Sequence, residues 1–254
     1  MRMKKQKCIT SPKKRKKDQD TTIDAVGDLI TIVMICDTPG YRMKSYGPPS
    51  LIKIGDKRLI DHQIDAIGKR LTNFEIILCV GFDAERVGKH IRSHYPDVNV
   101  RIVENQVFND SNTCEGMRLA LNNTNNDKIL VLDGNIMFSP DILSQIKVSQ
   151  SCVLGEKEPS DNLEIGFNLN ESEQIEHFAF GASQLWSEIF FLSNREAVET
   201  LRKIVSGAGY KTKFMFEALN DLIKTRHKMT MIANQHPIKK INNIKTYHKI
   251  RRQK

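Results

Sequence analysis

No apolar run in this chain approaches the roughly 18 consecutive residues a bilayer-spanning helix needs, and the N-terminus is basic where a secretory leader would turn apolar. The expectation is a soluble, cytoplasmic protein without membrane insertion. Cysteine is sparse: Cys8, Cys36, Cys79, Cys114 and Cys152 form no CxxC pair and no Cys/His cluster. Reduced thiols are therefore expected rather than disulfides, and the pattern argues against a structural zinc site. The seven histidines show no metal spacing either, and His62 and His177 read as polar or packing residues. There is one tryptophan, Trp186, which reads as a packing residue ahead of a substrate platform. Internal repeats are absent.

Acidic residues are missing altogether from 224–254, where ten Lys/Arg accumulate, and residues 1–22 hold nine Lys/Arg against two Asp. The net charge of +9 thus hides an acidic body with two basic ends. Residues 1–22 lack apolar periodicity and read as a disordered basic arm. Its run Pro12–Lys17 makes Lys13, Lys14, Arg15, Lys16 and Lys17 candidate polyanion-binding residues, for nucleic acid, an acidic protein surface or a nuclear import receptor. A solvated tail is the plainer alternative, and a nuclear or virion-associated setting stays open.

From Asp28 the pattern becomes orderly, and 23–254 is long enough for one α/β domain with halves 23–150 and 151–254. Leu29–Ile35 is a continuous apolar run, as a strand buried on both faces requires. Further strands are expected at Glu75–Gly81, Val98–Glu104 and Lys128–Leu132, alternating with helices over Leu59–Leu71, Ala84–His94 and Thr113–Asn122. Alternation at this spacing predicts parallel βαβ units: a mixed, mainly parallel central sheet flanked by helices. Beyond Ser151 the signal predicts strands at Ser151–Gly155, Glu164–Leu169, Ile175–Phe180 and Glu188–Leu192, then helices over Arg195–Ser206 and Phe214–Thr225. The basic run after Lys224 reads as a solvated helix face.

The loop after Ile35 and the Asp133-Gly134-Asn135 turn after Leu132 both fall at the carboxyl edge of such a sheet, where ligands bind. Several segments there follow one order: Ile35–Met43 with Gly40 and Arg42, Pro48–Leu51, Gly55–Ile60, Asn105–Ala120, and ILVLDGN ending at Asn135. In that order and spacing they resemble the opening signature of the sugar-phosphate nucleotidyltransferases, of the nucleotide-diphospho-sugar transferase, GT-A-like fold. The resemblance covers about Thr31–Ser139; His177–Gly181, Trp186 and Ile241–Ile244 fit the later part more loosely.

The resemblance implies transfer of a nucleotidyl group from a nucleoside triphosphate to a sugar, polyol or choline-type phosphate, with release of pyrophosphate. Residues 23–150 would form the nucleotide half and 151–254 the acceptor half. It implies phosphate contacts from Thr38, Gly40 and Arg42, and nucleoside-side contacts from Asn112 and Thr113. Mg²⁺ would be held by Asp133 with Asn135 and Asn243, and Arg42 and Asp133 would be the catalytic pair. The chain departs from the pattern at several places. Thr38 replaces a loop glycine, Pro39 removes an amide, and Asp37 adds negative charge beside the phosphates. Pro49 replaces the loop lysine and Asn135 a metal-binding aspartate. Lys44, Lys53 and Asp133 are the candidates to compensate. A non-catalytic structural or adaptor domain whose basic ends bind nucleic acid or an acidic partner is the other open reading.

Overall fold

The structure, a computed structural model, describes residues 21–25 and 27–252. Lys13, Lys14, Arg15, Lys16, Lys17 and Cys8 lie outside the described residues. Thr22 already pairs with Lys147, and Ile23 is buried in the core.

In chain order the first elements are β1 (Ile30–Cys36), the small hairpin β2 (Lys53–Ile54) and β3 (Lys57–Arg58), and α1 (Leu59–Arg70). Then come β4 (Phe74–Val80), α2 (Ala84–His94), β5 (Val100–Glu104), α3 (Thr113–Leu121), β6 (Ile129–Asp133) and β7 (Ile136–Met137). The later part holds β8 (Cys152–Glu156), β9 (Ile165–Leu169), β10 (Ile175–Phe180), β11 (Gln184–Leu192), α4 (Arg195–Val205) and α5 (Met215–Lys224). It closes with β12 (Thr230–Ala233), β13 (Lys239–Lys240) and α6 (Ile244–Arg252).

Nine strands form one mixed sheet in the order β10-β9-β11-β6-β1-β4-β5, with β8 paired to β11 and β12 to β8. The β6-β1-β4-β5 part is parallel, as the βαβ alternation requires, and β11 joins β6 antiparallel. The unbroken apolar run of β1 is explained by cover on both sides. Ile32 and Met34 pack with Ile64 and Ile67 of α1 and Val87 and Ile91 of α2, while Val33 and Ile35 pack with Met117 and Leu121 of α3 and Leu201 of α4. The period-two alternation of side chains puts each residue in one of two cores.

The run after Lys224 departs from the expected solvated face. Residues 230–233 add β12 in parallel beside β8. Residues 244–252 do form a helix, but it buries Tyr247 and Ile250 with Met43, Ile52, Ile54 and Leu59 of the segment after β1. The i, i+3 spacing of Ile244, Tyr247 and Ile250 is the apolar stripe that docks it.

A polar brace joins α1 to α2. The Asp61 carboxylate accepts from the Arg58 N–H (2.8 Å), His90 Nε2 (2.6 Å) and the Tyr95 hydroxyl (3.0 Å). Burial works against ionisation of Asp61, but these hydrogen bonds and the His90 charge outweigh it and hold the carboxyl below its usual range. A depressed carboxyl stabilises the fold above its unfolded-state pKa and loses that contribution as pH falls through the folded value. Asp61→Asn should therefore cost about 1–3 kcal/mol at pH 7. Chemical denaturation should show the gap to wild type closing as the pH is taken below about 4; a gap constant with pH would show that the carboxylate charge is not what braces the helices.

Candidate functional site

The carboxyl ends of β1 and β6 and the start of α3 converge on a cleft of about 240 Å³, and Thr38, Asn112, Thr113 and Asp133 all line it. Buried Asn105, just past β5, fixes this edge: its side-chain amide donates to Asp37 Oδ2 (2.8 Å) and Ser111 Oγ (3.0 Å), linking the β1 loop to the entry of α3. The α3 start is riveted to the following half of the chain. The Asn112 and Cys114 N–H groups donate to the Lys211 and Lys213 carbonyls, and the Met215 N–H donates to Thr113 Oγ1 at 2.7 Å. Asn112 Oδ1 accepts from the Thr113 N–H at 2.9 Å, so Asn112 caps the helix, and both residues line the cleft.

The structure separates other sequence candidates from this cleft. Gly40 and Arg42 both have left-handed backbones (φ 72° and 57°), and the Arg42 guanidinium lies 5.1 Å over the exposed ring of Tyr41, outside the cleft wall. Asn243 Oδ1 accepts from the Lys245 and Thr246 N–H groups (2.9 and 3.0 Å), which makes it the N-cap of α6. Asn135 donates its N–H to Asp133 Oδ1 at 3.0 Å, and its own side-chain oxygen is buried without a partner. Pro49 is buried, and Lys44 and Lys53 are exposed and outside the cleft lining. Asp37 is 2% exposed and turned under α3, where Gly116 leaves room for its carboxylate. Burial pushes that carboxyl up, so the negative charge expected beside the phosphates is muted.

Three residues enter the site without having been read from the sequence. Glu188 lies in the middle of β11 with φ 60°, where the pairing to β8 slips so that Ser187, Glu188 and Ile189 together face Leu154. The kink puts Trp186, Glu188 and Phe190 on the cleft wall. Lys240 is brought in by β13, which pairs with β7 next to the Asp133 turn; its ammonium donates to the Trp186 carbonyl and lies 3.6 Å from Glu188 Oε1. Gln63 of α1, buried, donates to the Asp133 and Ile136 carbonyls (3.0 and 2.8 Å) and holds the turn in place. A discoverable signal existed for Glu188: an acid at period two between two aromatics, Trp186 and Phe190.

Asp133 and Glu188 therefore form a carboxylate pair at the cleft floor. Burial first, and then the Glu188 charge, raise the Asp133 carboxyl well above its usual range; burial raises Glu188, with Lys240 opposing. Glu188 Oε2 is buried and unpartnered. Two hard oxygen donors and an unsatisfied carboxylate oxygen fit a divalent cation such as Mg²⁺, which typically takes one or two protein carboxylates and completes its shell with phosphates and water. Among the described residues no group of three His, Cys, Asp or Glu is placed to hold a metal ion. The other side of the cleft is aromatic: Phe214 and Phe216 stack at 5.9 Å, and the exposed Phe180 meets Phe216 edge-on at 5.6 Å.

No protein-family profile matches the chain, and no curated protein matches it by sequence. Solved structures do match over nearly its whole length. CTP:phosphocholine cytidylyltransferase from Streptococcus pneumoniae superposes with a TM-score of 0.71 at 16% identity, over 88% of this chain and 98% of that one. The inositol-1-phosphate CTP transferase from T. maritima gives 0.68 at 14% identity, over 87% and 94%. The nucleoside-diphosphate-sugar pyrophosphorylase from Vibrio cholerae RC9 gives 0.69 at 14% identity, over 88% and 100%. The chain has the fold of these nucleotidyltransferases, in agreement with the resemblance of its motifs.

Proposed function

We propose that the cleft binds a nucleoside triphosphate and that the chain transfers the nucleotidyl group to a small phosphorylated acceptor. An acceptor phosphate oxygen attacks the α-phosphorus, the bond to the α,β-bridging oxygen breaks, and pyrophosphate leaves. The observation that carries this reading is the meeting of Thr38, Asn112 and Thr113 with the carboxylates Asp133 and Glu188 at the ligand-binding edge of this fold. Asp133 and Glu188 would hold Mg²⁺, which supplies charge neutralisation on the phosphates. Asn112 and Thr113 orient the nucleoside side. Trp186, Phe190, Phe214 and Phe216 pack the acceptor head group and exclude water from it. Of sugar, polyol and choline-type phosphates, an aromatic wall with a carboxylate at its floor suits the cationic choline type.

Buried Pro49 favours a second reading, a binding domain that does not turn over. The one lysine brought to the site, Lys240, is engaged by Glu188 and the Trp186 carbonyl, no lysine stands at the Pro49 position, and loss of one charge-stabilising group costs about 10²–10³ in rate. Calorimetric titration with a panel of nucleoside triphosphates, with and without Mg²⁺, tests both. Micromolar, Mg²⁺-dependent binding with slow pyrophosphate release in the presence of phosphocholine is the expected result. Binding without any pyrophosphate release selects the second reading, and no binding across the panel overturns both.

A further inference from the structure

The docking of α6 has a second side. Its apolar stripe faces the core, so Lys245, His248, Lys249, Arg251 and Arg252 are left exposed on the outer face. The loop after β1 meets α6 through the backbone pairing of Tyr41 with Asn243, and it exposes its own cations, Arg42 and Lys44, beside the helix. No acidic residue occurs in 224–254, and none of these cations is ion-paired among the described residues. The patch is therefore a concentration of uncompensated positive charge on a body that is otherwise acidic.

Two rings stand in the patch. Tyr41 is 67% exposed and carries the Arg42 guanidinium on one face; Tyr46 is 46% exposed and lies edge-on to Tyr247 and His248 at 6.0 and 6.4 Å. Large apolar rings are not left in water for the sake of the fold, and here they alternate with cations. Cations that track a phosphate backbone, with aromatic faces on which bases stack, are the requirements for binding a single-stranded nucleic acid. A duplex would use the charge but leave the two rings without a base to stack on, and an anionic lipid surface is the competitor that the vesicle arm of the binding test separates.

We propose that the outer face of α6 and the adjoining β1 loop bind single-stranded nucleic acid, with Lys245, Lys249 and Arg252 on phosphates and Tyr41 on a base. This surface is separate from the cleft, so it stands whether or not the cleft turns over.

The test is fluorescence anisotropy of the full chain with labelled oligo-uridine of about 20 nucleotides, longer than the roughly 4–16 that comparable surfaces cover, over a salt series. The triple variant Lys245→Gln, Lys249→Gln, Arg252→Gln should weaken binding at least tenfold and reduce the slope of log affinity against log salt by about two, at roughly 0.7 per phosphate contact. Tyr41→Ala should weaken binding about tenfold while leaving that slope unchanged, as loss of a stacking face does. All substituted residues are exposed, and unchanged melting temperatures would show that the variants fold. A full chain with Lys13 to Lys17 changed to Gln separates the basic arm: the α6 variant should still lose affinity in that background. The proposal is overturned if the triple variant binds like wild type, if the arm variant alone abolishes binding, if duplex binds as tightly and ignores Tyr41→Ala, or if phosphatidylserine vesicles are bound in preference to the oligonucleotide.

Discussion

Asp133→Asn and Glu188→Gln should each abolish the Mg²⁺ dependence of triphosphate binding and lower any pyrophosphate release by about 10²–10³. The two carboxylates are the anionic oxygens at the cleft floor, and the turn carrying Asp133 is fixed from behind by Gln63. Either change leaves a shape nearly identical to wild type and removes a group that can ionise to meet the cation, so the effect reports charge rather than packing. A companion variant distinguishes binding from folding. Glu188 occupies a left-handed backbone that is costly for a residue with a Cβ, so Glu188→Gly should relieve strain of about 1 kcal/mol or more while removing the carboxylate. Both Glu188 variants lose the Lys240 ion pair, so a higher denaturation midpoint for Glu188→Gly than for Glu188→Gln, with Mg²⁺-dependent binding lost in both, is the expected combination in calorimetry and denaturant titration. Unchanged Mg²⁺-dependent binding in all three variants would remove the pair from the nucleotide site.

The largest stability effect is expected at Phe167. It is fully buried, pairs across the sheet with Phe178 at a ring separation of 5.7 Å, and fills the space left by Gly155, where a Cβ would come within 2.6 Å of its ring. Phe167→Ala leaves a void that the glycine beside it cannot fill, and the cost should be about 3–5 kcal/mol. Urea denaturation should show a lower midpoint with an unchanged slope. A cost under about 1 kcal/mol would mean that the β9-β10 edge collapses onto the void, and that the sheet is softer there than its packing indicates.

The parallel half of the sheet could be read from the sequence because each strand carries its own label. Strands such as Ile30–Cys36 and Phe74–Val80 are apolar on both faces, and the helices between them repeat at the period of a single buried stripe. Strand and helix ends in both halves fall within a few residues of expectation, down to β11, which begins four residues before Glu188. The candidate site was legible only where strand ends and a helix start carry it. Thr38, Asn112, Thr113 and Asp133 follow strand ends and a helix start, so topology alone brings them to one edge. Glu188 shows only as an acid between two aromatics at period two, its left-handed kink unmarked, and Lys240 depends on a two-residue strand with no local signature. Arg42 was placed by its spacing from Gly40, but spacing does not say which way a left-handed loop residue points. What charge hid in the C-terminal helix is its docking stripe: six polar positions surround three apolar ones, and the stripe shows only when i, i+3 spacing is sought in a run that looks solvated.

The hold of α6 on the loop after β1 also sets an order of events during synthesis. The loop emerges early, yet Met43, Ile52 and Ile54 complete their packing only with Ile241, Tyr247 and Ile250. At about 5–20 residues per second, a ribosome needs on the order of ten seconds or more to travel from one to the other. Through that interval the nascent chain can pair β1 with β4 and β6 and seat Leu51 against α1, but Met43, Ile52 and Ile54 lack the cover that α6 brings. The outer packing of the loop after β1 is thus the last part of the molecule to take shape, and a chain interrupted before residue 241 would carry a formed sheet with that loop unfastened.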